Sequence, residues 1–322
     1  MGSGTRWVAG LFLGTGCTGN HDDVSPFDMP HYGDCTRTDN YLEVDEAGEV
    51  VAGEEPFGQI VQAYDAEERL VAYYVYYWED LYYSWEREYD GEGCLLTEQI
   101  EDFSSGLGER YENECERGQP VSGSHGQGHL DEGFIEAGST FEATHLYEGE
   151  QVVMSTFNWV DVDEPEDDWV EHASFSWELG KLVREEWWWQ MVFDHAHTWE
   201  YDAAGDLAMY TFEDYGDAPV YYLYEYDEHG RTVVEVETPE VGGAVNRRIE
   251  STWSDAAHVL TGRTIDREGD GVLDSVETYD CTHEWPYACV VVVDGSNQAA
   301  DPPDGIPEDH IEFVWSCPVA EP

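Results

Sequence analysis

Residues 266–277, DREGDGVLDSVE, hold the densest arrangement of potential ligands in the chain. With Asp266 as position one, Glu268 falls at three, Asp270 at five, Gly271 at six, Val272 at seven, Asp274 at nine and Glu277 at twelve, the oxygen spacing of a calcium-binding loop. Carboxylates are hard ligands, glycine permits the sharp turn, and Val272 would lend its carbonyl. The flanking LTGRTI and TYDCTHEW read as strands, so the Asp-Gly pair equally suits a bare acidic hairpin turn. Calcium is the one cofactor the sequence suggests. DPPDGIPEDHIE, residues 301–312, is a weaker echo.

A second constellation is DHAHTW, which places His195 and His197 on one face of a strand with Asp194 beside them. Such a pair binds zinc or copper when a neighbouring strand brings a third ligand, and is otherwise polar surface. A metal-dependent enzyme built on this region is the outside alternative. Other catalytic signals are poor: VSGSHGQGH, with His125 and His129, lacks the strand-to-helix elbow of a serine hydrolase, and CVVVVDGS lacks a phosphate-loop lysine. With 72 acidic side chains, carboxylate pairs arise by chance and carry no weight. No catalysis is expected. Runs such as YYVYYWEDLYYSW and EEWWWQM could stack sugars or fill a core.

The elements that would position these residues are strands. Within 322 residues, 41% are hydrophobic and 14% aromatic, ample for a folded domain despite a net charge of -59. That charge repels phosphate backbones and anionic lipid, which excludes nucleic acid as a partner. An aromatic followed by an acidic or small polar residue recurs at Tyr64, Tyr89, Trp177, Tyr201, Tyr226, Trp253 and Tyr279, at spacings of 25 and then 24, 25, 27 and 26; Tyr147 is a degenerate copy. Between copies the chain reads strand, turn, strand, as in LAMYTF, EDYGDA, PVYYLYEY.

YDAAGDL and YDEHGRTV resemble the YD repeats of bacterial RHS-type surface proteins, over about residues 60–100 and 175–285. The resemblance implies an antiparallel meander of hairpins about 25 residues long, all-β, forming one curled or barrel-like sheet. The domain is expected over 41–322, with a Gly/Ser-rich loop insertion at about 101–138.

RWVAGLFLGTGC resembles a bacterial lipoprotein signal, which implies a signal peptide at 1–16, lipidation of Cys17 and a tether over 17–40. An exported outer-membrane or cell-surface protein follows, touching the membrane only through its lipid; a secreted or periplasmic protein is the alternative. Removing Cys17 leaves Cys35, Cys94, Cys115, Cys281, Cys289 and Cys317, an even set suited to three disulfides. Cys94 with Cys115, and Cys281 with either Cys289 or Cys317, are the pairs to examine first. The functional expectation is an acidic scaffold or interaction module for an unknown protein or glycan partner. A carbohydrate or small-ligand binder within the curled sheet is the alternative.

Overall fold

The computed structural model describes residues 34–52, 55–78, 80–130, 138–161, 168–254, 259–282, 288–295 and 303–316. The expected signal peptide, Cys17, the tether up to residue 33 and Cys317 lie outside the described residues. All regular elements described are strands, and no helix is long and apolar enough to cross a membrane.

The first ten strands are β1 (Thr36–Leu42), β2 (Gly58–Tyr64), β3 (Leu70–Tyr77), β4 (Asp80–Tyr89), β5 (Leu95–Asp102), β6 (Leu107–Glu116), β7 (Gln119–His129), β8 (Ser139–Glu148), β9 (Gln151–Asp161) and β10 (Trp169–Glu178). The others are β11 (Lys181–Trp189), β12 (Val192–Tyr201), β13 (Leu207–Asp214), β14 (Val220–Tyr226), β15 (Thr232–Thr238), β16 (Arg247–Ser254), β17 (Val259–Asp266), β18 (Ser275–Cys281), β19 (Ala288–Asp294) and β20 (Asp309–Ser316). Each strand pairs antiparallel with the next, and β20 pairs antiparallel with β1. The meander is therefore a closed barrel of 20 strands. Closure leaves no sheet edge to template further pairing.

Two sequence boundaries need correction. β1 begins at Thr36, inside the expected tether, because Arg37 and Asp39 pair across the sheet with Gln62 and Ile60 and with Trp315 and Phe313. The expected loop insertion at 101–138 contains β6 and β7, joined by a tight turn at Arg117 and Gly118. Its glycines suggested a loop, yet Gly123 lies where a Cβ would meet Asn113, the Glu112 carbonyl and Phe141 at 2.5–2.6 Å. Glycine there lets adjoining strands close up.

The repeat has a physical basis at one rim. Ladder registers shift immediately before Tyr64, Tyr89, Tyr147, Trp177, Tyr201, Tyr226 and Trp253, so each aromatic follows a β-bulge that re-aims it. The same shift precedes Cys115, which is the copy missing between Tyr89 and Tyr147. The following aspartate folds the turn: Asp227 Oδ1 accepts the N–H groups of His229 (2.8 Å) and Arg231 (3.0 Å), as Asp65 does those of Glu67 and Arg69. Gly230 takes φ +78° in this turn, and Glu68 takes +65° at the equivalent place. Arg231 Nε donates to Asp227 Oδ2 at 2.7 Å and its guanidinium lies over Trp253. Against the cost of burial, this pairing holds the Asp227 carboxyl down to about 2.

One face of the wall is concave. Between β6 and β10 the registers run from Tyr111 to His125 and Ser139, and from Phe141 to Trp159 and Trp169, so Tyr111, His125, Phe141, Trp159 and Glu171 share one face. In a closed barrel the face that holds the buried aromatics is the inner one. Two apolar clusters lie on this inner face. One gathers Val259, Val291, Phe313 and Trp315 near the β20–β1 seam, and the other Phe141, Phe157, Trp159, Phe175 and Trp187 on β8–β11. The opposite face presents Glu86, Glu142, Asn158, Arg184, Glu213 and Glu250 along the strands. A lipid-facing barrel needs an apolar band there instead.

Candidate functional site

The inner wall from β9 to β14 carries the most concentrated chemistry. Register sets it out: Glu185 on β11 faces His197 on β12, which faces Phe212 on β13, while Trp187 faces His195 and His195 faces Asp214. Because side chains alternate, these inward residues form a continuous aromatic arc. Trp159 stacks on Trp169 at 5.5 Å, Phe157 on Trp187 at 5.9 Å, Trp187 on His195 at 6.0 Å and His197 on Tyr210 at 5.9 Å; Tyr210 then meets Tyr222 at 5.5 Å.

Polar groups are set into this arc. Glu171 accepts hydrogen bonds from the indole N–H groups of Trp159 (3.0 Å) and Trp169 (3.2 Å), and Glu185 accepts one from Trp187. Burial raises both carboxyls despite these donors. His195 Nδ1 lies 2.8 Å from Asp194, and His197 Nδ1 lies 2.6 Å from the Tyr210 hydroxyl. Burial, and secondarily His195, depress His197 to about 4, so the imidazole is neutral at pH 7. Across the interior, His125 stacks on Tyr111 at 4.3 Å, and Glu98 holds Arg87 at 2.7 Å. Aromatic faces interleaved with carboxylates suit ligands with both an apolar face and hydroxyl or cationic groups.

His195 and His197 therefore share one face, inward and beside carboxylates, as the alternation required. Among the described residues, the groups of three donors close enough to share an ion are Asp90–Cys94–Cys115 and Asp294–Asp304–Glu308, and neither contains these histidines. The first has its sulfurs joined in a disulfide, leaving no thiolate to bind metal. Cys94–Cys115 and Cys281–Cys289 are both bonded, and Cys35 is disulfide-bonded to a residue outside those described.

The calcium-type spacing is distributed over two structural settings. Asp266 ends β17, residues 267–274 form the loop, and β18 starts at Ser275. Asp266 Oδ2 accepts the Gly271 N–H (2.8 Å), Asp270 Oδ1 that of Val272 (2.8 Å) and Asp274 Oδ2 that of Arg267 (2.5 Å). Glu268 and Val272 are exposed on the loop. Glu277 is not brought to it: already on β18, it turns to the inner wall, accepts the Tyr279 hydroxyl at 2.6 Å and pairs with Arg263 at 3.6 Å. A strand's period of two cannot fold the twelfth position back onto the loop as a helix can. The echo in residues 301–312 contributes Asp304 and Glu308, which meet Asp294. Asp294 accepts the N–H groups of Asp304 and Gly305, and Glu308 that of Gly295.

Fold and wall together define a closed, all-antiparallel β-barrel with an acidic, aromatic interior. No family model and no curated protein matches the chain. Among solved structures it is similar to a crystal structure of TcdB2-TccC3-TEV, at 14% identity, 80% of this chain, 12% of that chain and TM-score 0.38. It is also similar to a Photorhabdus luminescens Tc holotoxin pore, at 10% identity, 74% of this chain, 15% of that chain and TM-score 0.38. A porin-like protein from Bacteroides uniformis gives 10% identity, 73% of this chain, 97% of that chain and TM-score 0.33. At TM-scores below 0.5 these likenesses assign neither a family nor an activity.

Proposed function

We propose that the protein is exported, held at the outer membrane or cell surface by a lipid on Cys17, and acts there as a non-catalytic scaffold or interaction module. The observation that supports this most is ring closure: β1 and β20 lie side by side, so a tether preceding β1 departs from one point on a wall that has no open edge. The two described disulfides suit an oxidising compartment. A protein or glycan partner would meet a rim or the polar outer wall. The test is fractionation of cells producing the full chain or Cys17→Ser. Wild type in the membrane fraction with the variant released supports the reading; wild type released equally rejects it.

A second reading, a carbohydrate or small-ligand site inside the barrel, is favoured by the aromatic arc bearing Glu171 and Glu185. A bound ligand at a hundredfold excess over its Kd should stabilise the barrel by about 2.7 kcal/mol. A glycan panel that leaves the melting midpoint unchanged removes this reading while leaving the anchored scaffold intact.

A further inference from the structure

The two rims of the barrel differ in what their turns expose. At the rim of the aromatic and aspartate turns the tips are polar, as at Asp65, Asp202 and Asp227, with Leu179 the exception among the described residues. At the other rim Trp78, Phe103, Met191, Tyr215, Val241 and Val272 are exposed, one from each of the β3–β4, β5–β6, β11–β12, β13–β14, β15–β16 and β17–β18 connections. Apolar side chains thus ring one end of a barrel whose outer wall is polar, and a patch of that extent marks an interaction surface.

Backbone conformation is a second, independent observation. Trp78 takes φ +50° and is 65% exposed, and Met191 takes φ +67° and is 80% exposed. The left-handed region is disfavoured for a bulky side chain, and a two-residue hairpin turn prefers asparagine and glycine there. The Arg117–Gly118 and Leu179–Gly180 turns of the opposite rim do end in glycine. Neither burial nor turn preference accounts for tryptophan and methionine at these tips, and strain of this kind gathers where a surface serves an encounter outside the fold.

Charge decides what the rim fits. Exposed carboxylates lie between the apolar tips, at Asp80, Asp217, Glu240, Asp270 and Asp304. A second copy would bring the same carboxylates and a net charge of -59, and an anionic lipid surface is repelled likewise. The chain enters β1 at the polar rim, where the Asp34 N–H donates to the Asp65 carbonyl, so an anchor on Cys17 attaches there and leaves the apolar rim free. We propose that the apolar rim docks a basic protein, whose apolar side chains pack on the tips while its lysines and arginines pair with the carboxylates between them. The inference rests on the interaction-module reading and assigns it one end of the barrel and a partner chemistry.

The experiment titrates the purified full chain by calorimetry with an amphipathic leucine/lysine peptide, and with a glycine/lysine peptide of equal charge and length. About 150 mM sodium chloride screens diffuse attraction. The variants are Trp78→Gly combined with Met191→Gly, and Leu179→Gly at the opposite rim. Glycine relieves the left-handed backbone, so the double variant should melt no lower than wild type. The expected result is saturable binding of the leucine/lysine peptide in preference to the other, weakened at least about tenfold in the double variant and unchanged in Leu179→Gly. Equal binding of both peptides, an equal loss in Leu179→Gly, or a lower melting midpoint for the double variant, which would make the tips structural, overturns the proposal. So does wild-type flotation with phosphatidylcholine vesicles, or self-association, that the double variant loses. None of these outcomes alters the Cys17→Ser fractionation result, so the anchored reading stands or falls separately.

Discussion

Tyr226 donates its hydroxyl hydrogen bond to the carbonyl of Leu207, 2.8 Å away and one hairpin back. The same reach recurs from Tyr201 to the Leu182 carbonyl, and from the indole N–H groups of Trp177 and Trp253 to the Val152 and Thr232 carbonyls. These four aromatics after a bulge thus tie their hairpins to the preceding ones, explaining why Tyr and Trp share the repeat position. Both carry an apolar body and a donor at the tip. Tyr226→Phe keeps the ring and removes the donor, and should cost about 1 kcal/mol in urea unfolding at pH 7. An unchanged midpoint would show that the hydroxyl does not stitch the rim.

The half-buried pair of His197 and Tyr210 gives a pH dependence with a definite sign. His197 is held at about 4, below its ordinary 6.5, so between those values the unfolded chain binds a proton that the folded one refuses. This contribution to stability is complete above about pH 6.5 and is lost as pH falls toward 4, by at most about 1.4 kcal/mol per pH unit. Equilibrium unfolding of wild type and His197→Gln from pH 7 to pH 4.5 should show a flatter curve for the variant. Parallel curves would place His197 in water.

Glu171 has the opposite sign. Burial raises its carboxyl, so ionisation at neutral pH works against the fold, and the penalty fades as pH falls toward the ordinary carboxylate range. The Trp159 and Trp169 N–H groups donate to separate carboxylate oxygens, so Glu171→Gln removes the charge but keeps an acceptor for only one of them. Whatever that lost acceptor costs, the stability of the variant relative to wild type should be greatest at pH 7 and fall as pH drops toward 4.5, as wild type sheds its penalty. A difference between the two proteins that does not change with pH would mean that the carboxylate carries no burial penalty.

Register also bears on the third disulfide. Cys94–Cys115 and Cys281–Cys289 are bonded, which leaves Cys17 and Cys317 as the candidates for the disulfide of Cys35, and its neighbour Thr36 pairs with Ser316. Peptide mapping of the unreduced protein should therefore find Cys35 joined to Cys317, leaving Cys17 free for lipidation. A Cys17–Cys35 bond would contradict both expectations.

The meander and its period were legible because bulge, aromatic and aspartate recur as a chemical unit. Cys115 hid one copy by replacing the aromatic, and Gly123 disguised a strand as a loop because its glycine serves close packing. The inner wall was not legible: Glu171, Glu185 and Tyr210 are brought beside the histidines by inter-strand register and curvature, which no local window contains. His195 and His197 were found because period two is local. Glu277 was misassigned because a spacing borrowed from a helix-flanked loop was applied to a strand.

Closure makes the interior a compartment and brings the two ends of the described chain together at one seam, so the β1–β20 ladder is the feature to test. Asn40 and Glu312 are directly paired across it, and Thr156 and His172 are paired within the far wall. Cysteines placed at each pair in turn, followed by mild oxidation and peptide mapping, compare the seam with an interior ladder. A closed barrel predicts that the Asn40→Cys, Glu312→Cys bond forms as fully as the Thr156→Cys, His172→Cys bond. A wall pair that forms while the seam pair stays reduced would mean that the sheet is open.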